Sequence, residues 1–181
     1  LAAAFHEDPA MSWLLPDAAS RAPRLTALCR WMVGEHLKSG MVLGTPGCEV
    51  VTLWRPPGKV HLHEPLWHPG ALRFIPIFRR HLLRAVRIDD AIRAHLPADE
   101  NWMYLKMAGV RPDCQGKGLG GLAIRTGLAE AERHGVRGVL ETATPSNVGL
   151  YQRMGFATLS EWDVPGGGPH FWTMTHAGTP A

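Results

Sequence analysis

Apolar positions recur at two spacings along the chain. Over residues 21–38 they fall at Leu25, Leu28, Cys29, Met32 and Val33, one stripe of a helix that Ser20 is placed to cap and Ser39-Gly40 to end. Residues 41–44 and 49–55 read as two strands around Thr45-Pro46-Gly47, a hairpin. Residues 71–85 and 88–96 read as two helical runs, the second stopped by Pro97. Arg73, Arg79, Arg80 and Arg84 are expected on a solvated face of the first run. Residues 102–110 form an extended, apolar-rich run. Helical spacing then returns at Leu119, Leu122, Ala123, Thr126 and Ala129, with Gly135 closing that helix after His134. Residues 136–143 read as a strand and 147–154 as a short helix with Ser146 as its cap. Residues 156–164 and 170–175 read as the strands of a last hairpin. At the front, residues 1–6 read as the end of a helix that Asp8-Pro9 breaks, and Met11, Trp13, Leu14 and Leu15 as an apolar knot. No repeat or compositional shift marks a second domain.

Between the central strand and the long helix the chain reads Val110-Arg111-Pro112-Asp113-Cys114-Gln115-Gly116-Lys117-Gly118-Leu119-Gly120-Gly121-Leu122. A helix that begins in a glycine-rich loop offers unpaired backbone N–H groups and the positive end of its dipole, a site for an anion such as phosphate. Glycine removes the side chains that would keep a phosphate from the backbone. Lys117 adds charge at the rim. Three loop types compete. The P-loop pattern fails twice, because Arg111 stands at the first glycine and Gly118 follows Lys117 in place of Ser or Thr. The dinucleotide fingerprint finds Gly116, Gly118 and Gly121, with Glu141 about 20 residues on. Against it, residues 111–115 separate strand from glycine, and only a short tail follows Glu141.

The third pattern fits. Gln115-x-x-Gly118-x-Gly120 resembles the Q/R-x-x-G-x-G/A motif with which the GNAT N-acetyltransferases hold the pyrophosphate of acetyl-CoA. The resemblance extends to Leu140-Glu141-Thr142, Asn147, Tyr151 and Gly155-Phe156, and to Leu1-Ala2-Ala3-Ala4-Phe5 and Trp172-Thr173-Met174-Thr175 at the two ends. Within the family it is similar to puromycin N-acetyltransferase and its relatives. It fades over residues 56–98, where acceptor specificity is usually set. It implies an α/β (α+β) GNAT fold: a twisted, mostly antiparallel sheet with one splayed parallel pair and flanking helices. It implies one domain over residues 1–181, with a first strand expected upstream of residue 1. Homodimers are common in the family.

The resemblance also assigns roles. The backbone of Ala108, Gly109 and Val110 would pair with the pantetheine arm. Gln115, Gly116, Lys117, Gly118, Leu119, Gly120 and Gly121 would hold the pyrophosphate. Asn147 would contact the pantetheine region. Tyr151, four residues on and so on the same helix face, would contact the cofactor as well and be the general acid; a phenol of pKa about 10 holds its proton at neutral pH. Glu141 is the candidate general base, since a carboxylate inside an apolar strand is unusual unless it is paired or functional. An ion-paired structural carboxylate is the competing account. His63, Asp99 and Glu100 are reserve bases. Trp54, Trp67, Phe74 and Trp102 are candidate walls of the acceptor pocket, with a core role for Trp54 about equally weighted.

Composition narrows the rest. The chain has 181 residues, a formal charge of +3 and a pI near 9.0, without the Lys/Arg run of a nucleic-acid binder. No apolar run approaches the ~20 residues of a membrane span. Cys29, Cys48 and Cys114 have no metal-type spacing and read as free thiols in a reducing cytoplasm. His61, His63, Glu64 and His68 match no standard zinc arrangement, so no metal is expected. The function implied is acetyl-CoA-dependent N-acetylation of a small-molecule amine in a ternary complex. A nucleotide-dependent oxidoreductase and an acyl-CoA-binding protein without turnover remain as alternatives.

Overall fold

A computed structural model describes residues 1–59, 69–99 and 101–176 of the chain. The predicted strands gather into one six-stranded sheet. In chain order they are β1 (Met41–Gly44), β2 (Val50–Arg55), β3 (Trp102–Val110), β4 (Arg137–Thr142), β5 (Phe156–Asp163) and β6 (His170–His176). Their order across the sheet is β1-β2-β3-β4-β6-β5. β3 and β4 are parallel, and every other neighbouring pair is antiparallel. The fold class expected from the sequence is therefore the one observed.

The parallel pair holds together for only part of its length. Trp102 to Leu105 face Arg137 to Leu140, and there the pairing stops. Beyond it β3 continues against β2 alone, while Glu141 and Thr142 continue against β6. The sheet thus splits into a V at its centre. The edge of β3 from Lys106 to Val110 turns towards the opening.

Helices cover both faces. On one lies α5 (Leu119–Arg133), over a core of Trp54, Met103, Leu105, Ile124, Ala131, Leu140 and Met174. Its buried side is Ala123, Ile124, Gly127 and Ala131. This corrects the predicted stripe, since Leu122, Thr126 and Ala129 are exposed. Contact with the sheet turns the helix. A methyl group on Gly127 would lie 2.2 Å from the ring of Trp54, so only glycine lets α5 sit this close.

The other face carries α1 (Pro9–Leu14), α2 (Ala18–Ser39), α3 (Ile75–Phe78) and α4 (Leu82–His95). They enclose Leu25, Leu28, Met32, Leu53, Ile88, Ile92 and Met107. The buried face of α2 follows the predicted stripe and extends it through Arg21, Arg24 and His36. Arg21 donates to the carbonyl oxygens of Leu15 (2.8 Å) and His6 (3.0 Å), and Arg24 to that of Ile77 (2.5 Å). Buried guanidiniums are tolerable because carbonyl oxygens replace their water.

Several boundaries differ from expectation, each for a local reason. Asp17 caps α2, accepting from the Ala19 N–H (3.2 Å) and the Ser20 hydroxyl (2.5 Å); Ser20 itself lies one turn in. Asp8-Pro9 starts α1 rather than breaking a helix, because Pro suits the first helical position and Asp8 accepts from the Met11 N–H at 3.0 Å. Residues 71–85 are not one helix. A 3-10 turn, Pro69–Phe74, leads to α3, and Arg79, at φ +50°, separates α3 from the long α4. Arg84 is no solvated residue: it donates to the Trp13 carbonyl (2.7 Å) and lies over the Trp13 ring. The short helix α6 (Pro145–Gln152) takes Thr144 as its cap residue, with Pro145 in its first turn, so Ser146 caps nothing.

Candidate active site

The glycine loop stands at the mouth of the V. A short 3-10 turn, Pro112–Cys114, leads from β3 to Gln115. Gly116 and Gly118 hold φ +75° and +76°, and Gly118 is the residue that starts α5. These are left-handed conformations that a side chain resists. A methyl group on either glycine would meet nothing within 4 Å, so the space above the loop is open. Among the described residues, the N–H groups of Gly116 to Gly121 find no acceptor. Six adjacent donors at the positive end of a helix suit an anion. Gln115 turns its amide back to the Val110 carbonyl (3.3 Å), and Lys117 reaches the Asp113 carbonyl (3.3 Å). Both bonds brace the loop.

Where β3 and β4 part, a cavity of about 200 Å³ opens. Phe5, Leu28, Trp31, Phe78, Ile92 and Phe171 give it an apolar wall. Lys106 to Ala108 of β3, Glu141 to Ala143 at the end of β4, and Asn147 and Tyr151 of α6 bring its polar groups. Asp8 and Asp89 also line it.

Glu141 is the most unusual of these. Its side chain is 6% exposed. The hydroxyl of Tyr104 donates to Oε1, and the Lys106 ammonium lies 3.7 Å from the same oxygen. Oε2 is buried and has no hydrogen-bond partner among the described residues. Burial pushes the carboxyl above its ordinary value, against the pull of Lys106 and Tyr104. Tyr151 is buried too, its ring edge-on to Phe156 at 5.7 Å. Burial, then the negative fields of Glu141 and Asp8, push its phenol well up, which keeps it protonated. Its hydroxyl makes no hydrogen bond among the described residues. Asp8 spans two elements: it caps α1 and accepts from the Thr144 hydroxyl at 3.1 Å, and burial raises its carboxyl. The site thus sets an acceptor-poor phenol and a half-satisfied carboxylate around one apolar space.

The structure brings together Ala108, Glu141, Asn147 and Tyr151 around the cavity; Gly109 and Val110 continue the strand beyond Ala108 and residues 115–121 form the loop that follows it, and none of these lines the cavity. The aromatic candidates are placed elsewhere. Trp54 is fully buried beneath α5, its indole N–H on the Thr52 hydroxyl at 3.0 Å, so it is a core residue on the opposite face. Trp102 is equally buried, edge-on to Tyr104 in a small cluster with Val139. Phe74 packs edge-on against Trp31 (4.7 Å), and Trp31 lines the cavity. Asp99 is tied to Arg137 at 2.7 Å, at the far end of the sheet. Trp67, Glu100, His61, His63, Glu64 and His68 lie outside the described residues. Among the described residues no group of three or more His, Cys, Asp or Glu gathers as a metal would require, and no helix is long and apolar enough to cross a membrane.

Tyr104, Lys106, Asp8 and Asp89 are site residues that the sequence reading missed. One signal was available for Lys106. A lysine inside an apolar strand is as unusual as a glutamate in one, and β3 and β4 carry one each.

Comparison with known proteins accords with this geometry. The model of the acetyltransferase (GNAT) family matches residues 53–156, more than half of the chain. The structure is similar to one from Corynebacterium glutamicum described as histone acetyltransferase HPA2 and related acetyltransferase, with a TM-score of 0.64 and 21% identity over 99% of this chain and 87% of that one. It is also similar to arylalkylamine N-acetyltransferase 2 of Aedes aegypti, with a TM-score of 0.62 and 11% identity over 99% of this chain and 91% of that one. At such identities these two likenesses are ones of fold.

Proposed function

The chain belongs to the acetyltransferase (GNAT) family, and from that premise we propose that it is an acetyl-CoA-dependent N-acetyltransferase of small-molecule amines, working as a single domain by direct attack in a ternary complex. One observation carries the reading: the cavity at the split of β3 and β4 is lined by both a buried carboxylate with an unpartnered oxygen and a protonated phenol.

Acetyl-CoA supplies the activated acetyl group. The residues present fit it. The N–H groups of Gly116 to Gly121 receive the pyrophosphate, with Gln115 and Lys117 bracing the loop. The open edge of Ala108, Gly109 and Val110 receives the pantetheine arm, and Asn147 faces it across the V. A backbone N–H on that edge polarises the thioester oxygen. Glu141 takes a proton from the acceptor ammonium and leaves the amine free to attack. Tyr151 gives its proton to the departing sulfur and recovers one through water from the acylated nitrogen, so that a neutral amide and a neutral phenol remain. A base or acid of this kind contributes about 10²–10⁴-fold.

The wall of Phe5, Trp31, Phe78 and Phe171 favours an acceptor with an apolar body, and the carboxylates of Asp8, Asp89 and Glu141 favour one that arrives as a cation. Kinship with the puromycin N-acetyltransferases belongs to this proposal and rests on the motif residues from Gly109 to Phe156. The three cysteines are unpaired, which fits a reducing cytoplasm.

The first test is thermal unfolding with and without acetyl-CoA, with NAD as the comparison. A ligand at about 100 times its Kd adds about 2.7 kcal/mol, several degrees for a domain of this size. A shift with acetyl-CoA alone, followed by CoASH release with amines such as 2-phenylethylamine, is the expected result. A shift with NAD alone would sink the proposal. Binding without CoASH release from any amine would leave an acyl-CoA-binding protein.

A further inference from the structure

Glu141 is held by two residues that the acetyl-transfer scheme does not use. Both come from β3, and both act on the same oxygen. Tyr104 donates its hydroxyl proton to Oε1. Lys106 places its ammonium 3.7 Å from Oε1 and 3.4 Å from the Tyr104 hydroxyl oxygen. Oε2 is left buried without a partner.

A bulge makes this possible. In the ladder with β2, Leu53 faces Met107 and Trp54 faces Leu105, so Lys106 is the extra residue of β3. In a regular strand Tyr104 and Lys106 would share a face and Met107 would point to the other. Here Met107 packs into the core beside α2, Tyr104 and Val139 cluster on that same side of the sheet, and Lys106 lines the cavity. The bulge therefore aims a cation into the cavity without giving up the buried methionine.

We propose that Tyr104 and Lys106 are positioning residues that share Oε1 of Glu141, keep its carboxyl ionised in an apolar cavity, and leave Oε2 as the oxygen that takes the acceptor's proton. The inference rests on the reading of Glu141 as the base. The charge arithmetic is local. A carboxylate among Phe, Trp and Met side chains prefers to bind a proton, and Asp89 of α4, itself paired with Arg93 at 2.9 Å, strengthens that preference; Asp8, ahead of α1, also lines the cavity. Tyr151 of α6 is neutral. Lys106 and Tyr104 oppose the trend, and Lys106 contributes more than Tyr104. Behind them stand Arg55 of β2, paired in register with Tyr104, and His36 of α2, whose ring burial holds neutral. Transfer to Oε2 moves one proton from an ammonium to a carboxylate, so charge balances and Lys106 keeps its own protons throughout.

The test needs no acceptor. The side-chain carboxyl carbon of Glu141 is followed by NMR against pH in ¹³C-glutamate-labelled protein, its signal assigned by its loss in Glu141→Gln. In Lys106→Met the midpoint moves to higher pH, so that the ionised fraction at the wild-type midpoint falls about threefold or more. Tyr104→Phe moves it the same way by less. Lys106→Arg restores the wild-type midpoint, which a packing role alone would not predict. Thermal unfolding shows which variants fold, and the two Lys106 variants, at a partly exposed position, carry the test if Tyr104→Phe does not. An unchanged Glu141 midpoint in Lys106→Met would overturn the proposal. Failure of the underlying reading looks different: the midpoint would move as expected, while Glu141→Gln would acetylate 2-phenylethylamine at the wild-type rate.

Discussion

The glycine loop and the cavity are built on opposite terms. The loop from Gln115 to Gly118 is exposed and presents backbone N–H groups with open space above them. The cavity is buried and presents side chains drawn from the N-terminal turn, α2, α4, β3, β4 and α6. A backbone anion site is encoded within a dozen consecutive residues, because glycines and a helix start are all it needs. A site of paired side chains is encoded only by the fold, because Tyr104 and Glu141 stand 37 positions apart and meet across a parallel pair. On the proposed function, holding the cofactor and moving a proton would thus be separable, and each could be disturbed without the other.

The largest expected effect falls on the proton side. Tyr151→Phe lowers kcat for acetyl transfer by about 10²–10⁴-fold. The thermal shift with acetyl-CoA stays as in wild type. If that shift shrank with the rate, the two regions would be one site and the comparison would break. Next comes the binding side. Gly118→Val forces a branched side chain to φ +76° at the start of α5, which costs about 1–2 kcal/mol and crowds the open space. Calorimetry is expected to give about tenfold weaker acetyl-CoA binding or worse. The rate at saturating acetyl-CoA stays near wild type, and a kcat loss as large as that of Tyr151→Phe would contradict the division.

The smallest effect sharpens the electrostatic contrast. Burial raises the Glu141 carboxyl above its ordinary 4.5, so the folded chain binds that proton more tightly than the unfolded chain does. Stability present at low pH is therefore lost as pH rises from 4.5 through the raised value. Glu141→Gln has no such loss. The melting temperature of the variant minus that of wild type is expected to grow by about 1–3 °C between mildly acidic and mildly alkaline buffer. A difference that is flat with pH would mean that the carboxyl does not titrate there. The same comparison at Glu49, whose carboxyl the Thr45 hydroxyl holds below its ordinary value, should be flat over that range.

The strands and the loop were legible in the sequence because each is a local pattern. The hairpin of β1 and β2, the alternation in β4 and the four glycines need no tertiary information. Glu141 was legible too, as a charge on an apolar strand. What escaped depends on contacts between distant segments. The buried side of α5 is turned by Trp54, a residue 73 positions before Gly127, so helical spacing alone chose Leu122, Thr126 and Ala129 instead. Trp54 and Trp102 were offered as pocket walls because an aromatic side chain carries no sign of which face of a sheet it will meet. Tyr104 and Lys106 escaped because a bulge is a defect of register, and register belongs to two strands.

Gly127 has one more consequence. It sits nine residues along α5 from Gly118, about 13 Å by helical rise. The helix is seated on Trp54 at one point and, on the proposed function, would meet the pyrophosphate at another, like a rod resting on a fulcrum. Bulk added at position 127 tips the far end. A library screened for weakened acetyl-CoA capture would therefore return position 127 beside Gly116 and Gly118, although residue 127 touches no ligand, and a map of intolerant positions would overstate the footprint of the cofactor by the length of the rod.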